Sequence, residues 1–270
     1  MLNFDLISVA ALFFGLFIGS FLNVCIVRLP LGQSIVFPRS RCIKCQSLIA
    51  WYDNVPVLGW LMLRGKCRKC GEGFSFRYVI IEILTGLIAF ALVRLFGLHW
   101  WTVYWFLFIC SLMVVSVTDI DHRIIPNAIT FPGIVLGFLV SFFGPPNILN
   151  LDQSIGYLQS FLGILVGGGG LLLLAETYRW LRKIDGMGMG DVKLLGMMGA
   201  CLGVQPLVYI LLISSLLGTV GGLLMILVKE GDSQYQIPFG TFLSLAGLII
   251  IFAGPQVEHS ISNLIIHFLR

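Results

Sequence analysis

Four cysteines early in the chain, Cys42, Cys45, Cys67 and Cys70, form two Cys-x-x-Cys hooks with 21 residues between them. Two such hooks can present four thiolates tetrahedrally to zinc at a Zn–S distance of about 2.3 Å. Lys44, Lys66, Arg68 and Lys69 surround the thiols and favour their ionised form. Four protein ligands leave no open coordination position, so such an ion is a structural staple and not a catalyst. Two disulfides or a redox pair are the alternative. Stable disulfides are rare in the cytoplasm, and a short loop with little core of its own gains its missing folding free energy from a metal. Cys25, Cys110 and Cys201 lie in apolar runs and read as small core residues.

The second set is acidic. Asp119 and Asp121 stand in the segment SVTDIDHRIIPN, and Asp191 stands in GMGMGDVKL. All three sit at the edge of apolar runs, where an ionised carboxylate is expensive and marks a functional candidate. Two carboxylates in contact share a proton. One can then take a proton from water while the other polarises a peptide carbonyl. Gly188 and Gly190 remove side chains next to Asp191, which permits close approach of a substrate strand. The structural alternative is an ion pair at each site, Asp119 with Arg123 at i+4 and Asp191 with Lys193.

These groups must be positioned by membrane helices. Hydrophobic residues make up 58% of the 270 and charged residues only 11%. That is less than half the charge of an average soluble domain, about 25%, so a soluble globular protein is excluded. The first apolar run, 6–27, is long enough to cross a bilayer. No Lys or Arg precedes it and no small-residue cleavage site follows, so it reads as a retained span and not a signal peptide. Further runs at 78–97, 100–118, 126–144, 157–178, 192–205, 206–228 and 237–254 predict about eight spans in all. The fold class is an all-α polytopic membrane protein with a small zinc-binding cytoplasmic loop between the first two spans. Residues 28–77 carry nine of the 17 Lys and Arg, which keeps this loop in the cytoplasm and the N-terminus outside. On that topology the other inside segments hold Arg123, Arg179, Arg182, Lys183, Lys193 and Lys229, while the outside segments and their flanks hold only Arg94 and Arg270. Both acidic motifs then fall at the cytoplasmic ends of spans. The tail 258–270 reads as an amphipathic interfacial helix. Three regions follow: a first span at 1–27, the four-cysteine loop at 28–77 and a transmembrane region at 78–270.

Taken jointly, GSFLNVCIVRLP at 19–30, PRSRCIKCQ at 38–46, WYDNVPVLGWL at 51–61, RGKCRKCG at 64–71, FRYVIIE at 76–82, TDIDHRIIPN at 118–127 and GMGMGDVKL at 186–194 resemble the type IV prepilin leader peptidase and N-methyltransferase family. The GxGD element alone also marks presenilin-type membrane aspartyl proteases. The resemblance implies cleavage of a basic leader from prepilins or pseudopilins after a glycine, at the cytoplasmic face of a bacterial inner membrane. It further implies methylation of the new amino terminus from S-adenosylmethionine, in the service of type IV pili or protein secretion. It assigns catalysis to Asp119 and Asp191, with Asp121 secondary, and the metal to the four cysteines. Gly65 and Lys66 match a pair associated with methyl transfer, and Glu82 is a further candidate that could instead pair with Arg77. Glu176 and Asp185 are candidates for binding the basic leader. No nucleic-acid partner is implied. A proton-coupled transporter using the two aspartates as relays, and a non-enzymatic secretion-assembly module docking through the zinc loop, are the competing readings. The first lacks midplane acids and related halves.

Overall fold

The computed structural model describes residues 2–183, 188–228 and 238–268; Asp185, Lys229 and Arg270 lie outside them. Each of the eight apolar runs forms helix: α1 (Leu2–Arg28), then, beyond the short α2 (Leu58–Met62), α3 (Arg77–Phe96), α4 (Trp100–His122) and α5 (Asn127–Ser141). Next come α6 (Tyr157–Ile164) and α7 (Leu171–Arg182), joined through a π-helical turn into one rod, then α8 (Met189–Leu202), α9 (Val204–Val228) and α10 (Phe239–Phe268). Among the described residues there is no strand, only three isolated β-bridges.

Among the described residues, six helices are long and apolar enough to cross a membrane: Asp5–Arg28, Arg77–Phe96, Trp100–His122, Tyr157–Arg182, Val204–Leu224 and Phe239–Asn263. The other two runs form the 15-residue α5 and the 14-residue α8, which at 1.5 Å per residue are about 21–23 Å long. Gly203 takes φ +82 between α8 and α9, a backbone region that side chains disfavour, and this turn sets the boundary between the two runs. The tail predicted to lie at the interface continues α10 beyond a break at Ala253 (φ −132, ψ 20), next to Pro255, whose missing N–H and ring disrupt helical bonding.

The chain divides into two compact units, Met1–Cys110 and Ser111–Arg270. In the first, α1 packs along α3 through Gly15 and Gly19. A Cβ on either would lie 2.7 Å from the α3 backbone, at Gly86 and Glu82 respectively, so the small residues let two helix backbones touch, as membrane helices commonly do. Phe13, Phe14 and Phe17 point outward, as a lipid-facing surface requires.

In the second unit α8 is the hub, packed against α5, α6, the π turn, α9 and α10. Every residue from Leu194 to Leu202 is buried. Gly163 meets Gly199 so closely that a Cβ on either would lie about 2.2 Å or less from the other's carbonyl oxygen. The glycine run 167–170 contributes in the same way at Gly167, against the Leu195 carbonyl, whereas Gly169 and Gly170 face open space.

Candidate active site

The four-cysteine loop is built from two similar turns. In the first, Cys42 N–H donates to Ser47 O and Gln46 N–H to Cys42 O; in the second, Cys67 N–H donates to Glu72 O and Gly71 N–H to Cys67 O. Gln46 and Gly71, each just after the second cysteine of its hook, both take positive φ, 54 and 74. Bridges Arg41–Leu48 and Lys66–Gly73 close the two turns. The four Sγ atoms all lie within 4.8 Å of one another, with Cys42–Cys70 at 3.7 Å and Cys45–Cys67 at 3.9 Å. A tetrahedron with metal–sulfur bonds of about 2.3 Å requires sulfur separations of about 3.8 Å, so the cluster can hold zinc.

The charges of the thiols fit as well. The hydroxyl and amide of Ser47 bring the Cys45 thiol down to about 6, and the amides of Cys70 and Lys69 hold Cys67 below the usual thiol range. The Glu72 amide draws Cys70 down, but burial and hydrogen bonds with Cys45, Cys42 and Cys67 push it up to about 12. Sulfurs this close cannot all be anionic without a cation among them. Ion pairs Lys44–Glu72 and Arg68–Asp53 brace the loop, and Arg68 holds the Asp53 carboxyl below its ordinary range.

Gly65 is buried at φ +67, and a Cβ there would lie 2.7 Å from the Trp60 indole. Lys66 is exposed. Glu82 is 8% exposed and accepts the Val57 N–H at 2.7 Å; the sequence-based partner Arg77 forms no ion pair with it.

In the second unit four helix ends converge: the C-terminus of α4 and the N-termini of α5, α8 and α10. Asp119, in the last turn of α4, is 6% exposed. Its Oδ2 accepts the backbone N–H of Thr241 at 2.9 Å and the Thr241 hydroxyl at 3.4 Å. Asp191 lies in the first turn of α8, close enough to feel the charge of Asp119. Gly188 and Gly190 sit beside it: a Cβ at Gly188 would be 3.4 Å from Asp191 Oδ2, and one at Gly190 would be 3.0 Å from Ile125. Ile125 also packs on Gly240, so α8 and α10 share one neighbour in the α4–α5 loop.

The structure thus brings the helix ends that bear Asp119 and Asp191 onto the same Ile125, although the two acids lie 72 positions apart in the chain. Lys193 does not pair with Asp191; its ammonium donates to Asn127 Oδ1 at 3.0 Å and sits 5.2 Å above the Phe131 ring. Asp121 and His122 are exposed. Glu176 pairs with Arg179 at 3.1 Å. Gly240 and Thr241 escape sequence reasoning. Their signal is weak: a small and a polar residue opening an apolar run, at the end of a helix whose first N–H groups need acceptors.

The profile of the bacterial peptidase A24 N-terminal domain matches residues 13–96, and that of the type IV leader peptidase family matches residues 106–223. A protein of Stutzerimonas stutzeri named prepilin leader peptidase/N-methyltransferase is 34% identical over 93% of this chain and 92% of its own length. Its Pseudomonas aeruginosa namesake is 31% identical over 91% and 90%. A Myxococcus xanthus protein of the same name is 39% identical over 79% of this chain, which spans 61% of that relative. No solved structure matches the chain.

Proposed function

Because the chain belongs to the type IV leader peptidase family, we propose that it cleaves the basic leader from type IV prepilins or pseudopilins and then methylates the new amino terminus. The observation that carries the peptidase half is the convergence on Ile125 of the helix ends that bear Asp119 and Asp191, with one carboxyl held by Thr241. The Thr241 amide and hydroxyl mark Asp119 Oδ2 as an acceptor, so the proton shared by the pair sits elsewhere, on Asp119 Oδ1 or on Asp191. The unprotonated member takes a proton from water as its oxygen attacks the carbonyl carbon of the scissile glycine. The protonated member donates to the carbonyl oxygen. Collapse of the tetrahedral adduct breaks the C–N bond, and the departing nitrogen takes the proton abstracted from water.

The acids sit at helix ends, so a substrate whose basic leader stays in the cytosol and whose apolar segment lies in lipid carries its scissile bond to that depth. This orientation, with the N-terminus outside in a bacterial inner membrane, rests on the basic residues of 28–77. Those same charges repel a basic leader, which therefore binds elsewhere. We assign methyl transfer to the region around 28–77, with a structural zinc in the four-cysteine cluster, and cleavage to 78–270. S-adenosylmethionine supplies the methyl group. Family membership disfavours the transporter and assembly-module readings.

Incubating the purified protein with a prepilin and labelled S-adenosylmethionine tests both halves, because intact mass reports loss of the leader and gain of a methyl together. A prepilin recovered at full length would refute the proposal.

A further inference from the structure

The first unit contains a cavity of about 830 Å³, within the size of small-molecule sites, about 300–1,000 Å³. Aromatic residues Trp60, Phe74 and Tyr78 line it together with Asn23 and one acid buried in α3, Glu82. We propose that this cavity binds the methyl donor S-adenosylmethionine, with the positively charged sulfur opposite the Glu82 carboxylate. The proposal rests on the methyl-transfer reading above and adds the location and the recognising residue.

Three observations carry it. First, Glu82 is 8% exposed and forms no ion pair with any described Lys or Arg. Its hydrogen-bond partners are the Val57 amide and the Ser20 hydroxyl. A buried carboxylate calls for a positive partner, and a cationic ligand in the cavity supplies one. The sulfonium is the donor's isolated positive centre, whereas its ammonium carries its own carboxylate, which Glu82 would repel. Aromatic walls favour the same cation through their ring faces, and they offer stacking surface to the purine.

Second, the wall beside Glu82 is strained. Val57, whose N–H bonds to Glu82, takes φ 61 and ψ −52, a conformation a β-branched residue rarely adopts. Strain of this kind concentrates at ligand clamps. Third, Gly65 touches the cavity indirectly. A Cβ at Gly65 would lie 2.7 Å from the Trp60 ring, so only glycine leaves that indole in its place, where its Nε1 donates to Phe74 O at 3.1 Å. The residue that resemblance links to methyl transfer thereby supports a wall of the proposed donor site.

The test is calorimetric binding to the full-length protein in detergent, with S-adenosylmethionine and its neutral-sulfur product S-adenosylhomocysteine as probes. Glu82→Gln should weaken S-adenosylmethionine by about tenfold or more, as expected when one partner of a buried charge pair is removed. The product should change by less than about threefold, because its sulfur carries no charge. Val24→Trp, which fills the cavity from α1, should abolish binding of both. Wild-type zinc content in the same preparations shows that the first unit of each variant is folded. Wild-type affinity for the donor in either variant overturns the location, and equal weakening of both probes by Glu82→Gln overturns the sulfonium assignment. A wild-type protein that binds no donor at all instead sinks the methyl-transfer reading itself.

Discussion

The loop at 28–77 and the helical unit Ser111–Arg270 hold their chemistry-bearing residues by opposite means. In the loop the groups that meet are close in sequence or arranged in two matching hooks, and polar turns, ion pairs and four sulfurs hold them. Few of its large apolar side chains are buried, so a ligand that neutralises the sulfurs would supply folding free energy that the loop otherwise lacks. In the helical unit the acids are far apart in sequence, and no short-range device joins them. Their placement depends on glycine contacts that let α5, the α6 rod and α10 close around α8, and on two hydrogen bonds from Thr241 to Asp119. A staple can be removed without breaking the glycine contacts within the second unit, whereas a helix end cannot move without moving its carboxylate.

The sharpest break between the regions comes from the acids. Asp119→Asn and Asp191→Asn should each lower leader cleavage by about a thousandfold or more, the scale seen when one member of a catalytic unit is lost. Intact mass of the prepilin is the readout, and recovery of each variant in the membrane fraction shows insertion. If either retains a tenth of wild-type cleavage, the dyad is not the catalyst.

Cys67→Ser or chelation should do the reverse, abolishing methylation while cleavage stays within about threefold, because the metal supports only the loop. Parallel loss of both activities would show the two regions to be one cooperative device.

Gly240→Ala is next in size. Its Cβ would lie 2.6 Å from Ile125 Cδ1 and 3.0 Å from Asp119 Oδ2, so the carboxylate must shift. A displacement of about 1 Å can cost about a hundredfold, and kcat for cleavage should fall by about ten- to a hundredfold with KM less affected. Wild-type kcat would mean that the pinned position of Asp119 is irrelevant.

Metal affinity should fall with decreasing pH. Cys70, near 12, carries a proton at neutral pH that binding must expel, and Cys45, near 6, takes one up as pH drops through that value. Each expelled proton makes affinity fall by about tenfold per pH unit, measurable by competition with a chromophoric chelator between pH 8 and 6. A flat profile would contradict thiolate ligation. The smallest effect belongs to Thr241→Ala, which removes the hydroxyl donor but keeps the amide, and should reduce cleavage only about threefold.

Much of this was written in the chain before any folding. Eight apolar runs became eight helices because hydropathy over a long segment is a local property that burial in lipid or protein satisfies either way. The two cysteine hooks were legible because zinc ligation demands a spacing that turns alone provide. GMGMGDVKL and TDIDHR singled out the acids as candidates, since carboxylates at membrane edges are expensive enough to stand out. Tertiary structure alone decided that α5 is short and that α8 is enclosed. It also gave Lys193 to Asn127 instead of Asp191, gave Glu82 to the Val57 amide, and brought Gly240 and Thr241 from more than 120 positions away onto Asp119. These outcomes depend on which helix backbones approach most closely. That depends on where glycines on different helices happen to meet, a relation between distant positions that no local pattern carries.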